Sequence, residues 1–126
     1  MRLISIKAAA FLAVSLGAMG LTSVSAKDEI QWGSISIDLG SSPFDPAFGI
    51  GGGDTMDQAI ANAQGFCRKA GGNKCETVVS YQQCGGYAAS AKSWGAGSGA
   101  TNKAAEAAAM SKCNDSRCKI IVSDCN

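Results

Sequence analysis

Phe48-Gly49-Ile50-Gly51-Gly52-Gly53-Asp54-Thr55 and, later, Trp94-Gly95-Ala96-Gly97-Ser98-Gly99-Ala100-Thr101 carry one pattern twice: an aromatic residue, glycine at alternate positions, then threonine. The register continues through Ala59/Ala105, Ala61/Ala107, Ala63/Ala109 and Cys67/Cys113. Each half then runs from a cysteine through a β-rich segment to another cysteine. These are Cys75-Glu76-Thr77-Val78-Val79 to Cys84, and Cys118-Lys119-Ile120-Ile121-Val122 to Cys125. A match this long points to internal duplication with later trimming, the pseudo-repeats spanning about 31–84 and 85–126.

Thr55 and Thr101 suit helix N-caps, because a threonine hydroxyl accepts from free N–H groups of the first turn. Helices are therefore expected over about 56–68 and 102–113. In the first, Ala59, Ile60, Ala63, Phe66 and Cys67 recur at helical spacing and form one apolar face. In the second, Ile60 and Phe66 become Glu106 and Lys112, so its buried face is expected to be rotated or less apolar. Strand candidates are 31–38, 47–51, 76–82, 87–91, 93–97 and 119–123. The order is strand, strand, helix, strand, given twice. That order predicts an α+β fold, a small disulfide-stapled domain with two helices packed on antiparallel sheet.

Gly49, Gly51, Gly52 and Gly53 before a helix superficially resemble a phosphate cradle. The stretch lacks the lysine and βαβ context of a P-loop. Glycine that lets an edge strand approach another backbone closely explains both copies better.

At the N-terminus, Arg2 and Lys7 precede an apolar run from Ala8 to about Leu21, and Val24-Ser25-Ala26 has the small-residue pattern of a signal-peptide cleavage site. Residues 1–26 are read as a cleaved signal peptide, leaving 27–126 as a single disulfide-bonded domain. The apolar run is short beside the ~20 residues of a spanning helix, so no stable membrane insertion is expected after cleavage. Loss of Arg2 and Lys7 takes the eleven basic residues to nine, against ten acidic. No block of like charge remains, which argues against a nucleic-acid partner.

Six cysteines in a short exported chain read as a disulfide framework, and a core of about 100 residues benefits from such bracing. They allow fifteen pairings. The repeat favours local bridges from each helix end to the following strand, Cys67 to Cys75 and Cys113 to Cys118, which need only ~6 Å Cα approaches. Cys84 and Cys125 then fall at the ends of equivalent strands, and are expected to meet across a pseudo-two-fold axis and join the halves. Cys-x-x-Cys is absent, so no redox or metal site is assigned.

The chain has no histidine. That removes Ser-His-Asp and Cys-His nucleophile systems. Carboxylate chemistry stays open through Asp38, Asp45, Asp54, Asp57, Glu76, Glu106, Asp115 and Asp124, without a nucleophile and base in evident partnership. No catalytic, cofactor-binding or metal residue is assigned. Ser41-Ser42-Pro43-Phe44-Asp45-Pro46 reads as a protruding loop, since two prolines exclude a central strand. With Trp32 and Trp94, its Pro43, Phe44 and Pro46 are the candidate partner-binding residues.

Trp32-Gly33 and Trp94-Gly95, the alanine-rich helices ending in Cys67 and Cys113, and the Cys-x-x-Val-Val and Cys-x-Ile-Ile-Val strands resemble a bacterial exported family, domain of unknown function 4189. The resemblance spans about Trp32 to Cys125 and implies a secreted or periplasmic disulfide-bonded domain with no established catalytic residues. The Pro43/Pro46 insertion and the long loop from Cys67 to Cys75 depart from the usual pattern. The expected function is a secreted or periplasmic, non-catalytic binding or inhibitory module contacting a protein or envelope component. Alternatives are a small carboxylate-dependent cell-envelope hydrolase and a structural envelope protein.

Overall fold

The computed structural model describes residues 31–126, so the signal peptide expected over 1–26 lies outside the described residues. The first half forms β1 (Trp32–Asp38), β2 (Phe48–Gly53), α1 (Met56–Lys69) and β3 (Cys75–Tyr81). The second forms β4 (Cys84–Ala89), β5 (Trp94–Gly99), α2 (Asn102–Cys113) and β6 (Lys119–Cys125). Both helices start where threonine caps them: Thr55 Oγ1 accepts from Gln58 N and Thr101 Oγ1 from Ala104 N, each at 3.1 Å.

The architecture is α+β, with two three-stranded antiparallel sheets carrying one helix each. Their strand orders are β2-β1-β3 and β5-β4-β6, the first strand of each unit lying centrally. The registers correspond as well. Both central strands break step with the last strand of their unit at matching places, between Ile35 and Ser36 and between Tyr87 and Ala88.

Directly opposed residues in antiparallel neighbours share a face. Ser34 and Ser36 thus face α1 together with Gly51 and Gly49, while Ile35 and Ile37 face away together with Ile50 and Phe48. On that second face Ile35, Ile37 and Tyr81 meet Tyr87, Ala89 and Val122 of the other sheet and form the main core. The layers therefore run helix, sheet, sheet, helix.

The helices lie almost directly on strand backbone. A Cβ added at Gly49, Gly51 or Gly95 would stand well under 3.0 Å from main-chain atoms of the overlying helix, around Ala63, Cys67, Ala109 and Cys113. The helices answer with small residues four apart, Ala59, Ala63 and Cys67 on α1 and Ala105, Ala109 and Cys113 on α2. This geometry corrects the expected apolar face. Phe66 is 50 % exposed, with Lys69 Nζ 5.9 Å from its ring centre, and Ile60 is only half-buried. A ring has no space beneath a helix so close to the sheet, so Glu106 and Lys112 replace residues that lie outside the buried stripe. The buried face of α2 is consequently not rotated relative to that of α1.

All six cysteines are bonded as Cys67–Cys75, Cys113–Cys118 and Cys84–Cys125. The last bridge does not join the halves, contrary to the sequence expectation. Cys84 opens β4 rather than closing β3, and it faces Cys125 of neighbouring β6 with Cα atoms 4.0 Å apart. The matching positions in the first unit are Trp32 and Gln82, which cannot form such a bridge.

Residues at matching positions do meet between the units, but without sulfur. Tyr81 lies opposite Gly33 and Asp124 opposite Gly85, and Tyr81 OH donates to Asp124 Oδ2 at 2.7 Å. The ring occupies space that a side chain on Gly33 or Gly85 would fill. Burial, reinforced by the Asp124 carboxylate, pushes the Tyr81 hydroxyl far up from its ordinary pKa and keeps it a donor.

Candidate functional site

Residues 39–47 connect β1 to β2, and backbone and side-chain bonds tie this segment down at its base. Asp38 N donates to Ala47 O at 2.9 Å and Leu39 N to Lys74 O at 3.1 Å. Asp38 Oδ1 accepts from Gly40 N at 3.0 Å and from Lys74 N at 3.1 Å. The Gly40 amide is the main cause that holds the Asp38 carboxyl below its ordinary range, and burial opposes it. Near the tip, Ser42 Oγ accepts from Phe44 N at 3.3 Å.

A long-range bond then fixes the tip against the second unit: Tyr87 OH donates to Pro43 O at 2.9 Å. Burial pushes the Tyr87 hydroxyl up to about 12. The same buried ring stands 5.9 Å from that of Trp94. One tyrosine therefore links the loop of the first unit to the exposed tryptophan of the second.

Two short connections of the second unit complete this end. Ser90 Oγ accepts from Lys92 N and Ser93 N, both at 3.2 Å, and so closes the tight turn between β4 and β5. It donates to Asp115 Oδ2 at 2.8 Å. Beyond α2, Asn114 adopts φ 53, the left-handed conformation that asparagine tolerates better than most residues, and the Cys113–Cys118 bridge closes the turn. Asp115 Oδ1 accepts from Arg117 N at 3.0 Å, and Arg117 Nε lies 3.4 Å away. The Arg117 amide first, then Ser90, holds the Asp115 carboxyl below its ordinary range despite partial burial.

Phe44, Ser90, Ala91, Arg117 and Lys119 line an open groove of about 310 Å³ where these connections converge. Phe44 is 45 % exposed and Trp94 40 %. The structure thus gathers Pro43, Phe44 and Trp94 at one end of the layered sheets. Trp32 opens β1 and is half-buried at the other end, so it belongs to a different surface. Pro46 is buried and offers a partner little. Ser90, Arg117 and Lys119 escape the sequence reading. Asp115-x-Arg117 is their only local signal, and it is an ordinary turn pattern until the fold sets it beside Phe44.

A smaller cleft of about 190 Å³, lined by Tyr81, Gln82, Gln83, Cys84, Ser98 and Gly99, lies at the opposite end of β4. Among the described residues, no three side chains of the histidine, cysteine, aspartate or glutamate type converge to hold a metal ion. No described helix is long and apolar enough to cross a membrane.

Acid should loosen the loop before the core. The unfolded chain protonates Asp38 and Asp115 near their ordinary value of about 3.9, whereas the folded chain keeps them ionised to lower pH. Their stabilising bonds are thus complete above pH ~4 and are lost as pH falls through the lower folded values. The protection of the Gly40, Lys74 and Arg117 amides, measured as exchange relative to the intrinsic rate at each pH, should fall in that window, and Asp38→Asn should remove this loss of protection at Gly40. Unchanged protection at all three amides would contradict this.

Fold and site together define a disulfide-braced α+β protein that presents loops over a small groove. The chain belongs to the family described as Domain of unknown function (DUF4189), whose model matches residues 32–125. Neither a curated protein nor a solved structure matches the chain.

Proposed function

We propose that this chain is an exported, non-catalytic binding module, in the periplasm or outside the cell, which contacts a protein or envelope component through the end of the fold that carries Phe44. Phe44 itself carries this reading: a large apolar ring exposed at the tip of a loop that is fixed at its base by Asp38 and near its tip by Tyr87. An ordered loop loses little conformational entropy on binding, and an exposed aromatic ring at a groove is a natural anchor. Three disulfides suit an oxidising compartment, which supports export. The common topology and register of the two units support their origin as copies of one pseudo-repeat, with the long 39–47 connection added to the first.

The hydrolase alternative has weaker support. Asp38 and Asp115 are held below the ordinary carboxylate range, the opposite of what a general acid requires. Asp124 and Glu106 accept from Tyr81 OH and Ser123 Oγ, at 2.7 and 2.9 Å, in bonds that brace the fold.

Immobilised protein should retain one stoichiometric partner from periplasmic or culture fractions of its source cells. Phe44→Ala should reduce that retention at least tenfold with an unchanged melting temperature. Cleavage of cell-wall glycans or peptides by the wild type, lost on a single Asp→Asn or Glu→Gln change, would instead establish the hydrolase.

A further inference from the structure

The groove beside Phe44 has a chemical bias that goes beyond a general binding role. Its lining combines one exposed aromatic ring and Ala91 with two cations, Arg117 and Lys119, and among the described residues it includes no carboxylate. Asp115 lies behind this surface, where Ser90 Oγ and Arg117 occupy it. The Arg117 side chain remains 69 % exposed, and its contacts to Asp115 are long, 3.4 Å from Nε and 3.5 Å from the terminal nitrogen. A guanidinium has five N–H donors, so several stay free for an incoming anion. Asp45 on the loop and Lys92 on the facing turn are exposed and leave the cationic excess in place.

The surroundings select the kind of molecule that would carry the anion. A groove of about 310 Å³ holds a side chain and its neighbours, and lies at the small end of ligand sites. Lys119 is also the first residue of β6, which among the described residues has only β4 as a hydrogen-bonded neighbour. A strand with one free edge offers N–H and C=O groups to an added extended chain. A polypeptide whose acidic side chain enters the groove can continue along that edge, whereas a lipid headgroup gains nothing from the strand.

On this basis, and resting on the binding-module reading, we propose that the Phe44–Arg117–Lys119 groove recognises an acidic segment of a partner polypeptide, pairing a carboxylate with the two cations and an adjacent apolar side chain with Phe44. The test uses the intact disulfide-bonded protein and a labelled peptide of alternating glutamate and valine, with the glutamine–valine peptide as control. The glutamate peptide should bind at least tenfold more tightly than the control, weaken as salt is raised, and shift the amide resonances of Phe44 and Lys119. Lys119→Gln and Arg117→Gln should each weaken it about three- to tenfold, as expected for charge-assisted bonds at a partly exposed site. Equal binding of both peptides, or no effect of either substitution, would overturn the assignment. So would binding of phosphatidylglycerol vesicles through Arg117 and Lys119 with no affinity for the glutamate peptide. Loss of the natural partner on Phe44→Ala, with Lys119→Gln and Arg117→Gln silent, would refute the acidic-segment assignment alone and leave the binding module standing.

Discussion

Gly51→Ala and Gly95→Ala are each expected to destabilise the protein by about 3 kcal/mol, a large part of the ~5 to 15 kcal/mol typical of a folded domain. A methyl group at Gly51 would collide with Ala63 N and Ala59 O of α1, and one at Gly95 with Cys113 N and Ala109 O of α2. Those atoms are helix backbone. They cannot swing aside as a flexible side chain does, so the whole helix must lift from its sheet and give up the contacts of Ala59, Ala63 and Cys67, or of Ala105, Ala109 and Cys113. Gly65 provides the control. It lies inside α1 with nothing within 4 Å of an added Cβ, so Gly65→Ala should raise stability by about 1 kcal/mol through helix propensity. Chemical denaturation of the three variants reads all the effects. Equal shifts at Gly51, Gly95 and Gly65 would show that the glycines are not there for close approach.

The second large effect concerns sulfur. Removing Cys84–Cys125 with paired alanines should cost about 4 kcal/mol, against about 2 to 3 for either local bridge, because the loop it closes spans 41 positions rather than 8 or 5. Its topology makes a sharper statement. Each of the three bridges stays within one unit, so a single cut between Gln82 and Gln83 should release two fragments under non-reducing, denaturing conditions. In native buffer the fragments should remain associated, held by the core around Ile35, Ile37, Tyr87 and Val122 and by the Tyr81–Asp124 bond. Fragments that stay linked until reduced would refute the pairing.

The cysteines show where sequence reasoning reaches its limit. Local bridges follow from short spacing between a helix end and the next strand, so Cys67–Cys75 and Cys113–Cys118 are legible directly. Cys84–Cys125 emerges as a pair for the wrong reason. Sequence reading takes Cys84 as the end of β3, whereas the backbone turns after Tyr81 and the cysteine begins β4. Strand boundaries inside a run such as Gln82-Gln83-Cys84-Gly85-Gly86 depend on which strand each residue pairs with, and that is a tertiary fact.

Phe66 is a similar case. Its helical spacing with Ala59 and Ala63 marks it as apolar, but the close approach of α1 to Gly49 and Gly51 leaves room only for alanine and cysteine beneath the helix. Pro43 and Phe44 are recognisable as loop residues because proline interrupts a strand. That Pro46 is buried, and that Trp32 stands away from the other candidates, is decided by where β1 begins and ends.

By itself the sequence determined the order of strands and helices, the two capping threonines, the glycine stripes and the local disulfides, because each depends on residues within about one turn or one hairpin of each other. Tertiary structure alone decided that the sheets stack face to face, that Tyr81 meets Asp124 between them, and that Phe44 from one unit shares a groove with Arg117 and Lys119 of the other. Those juxtapositions depend on side-chain packing between distant segments, and no local pattern in the chain encodes which face will meet which.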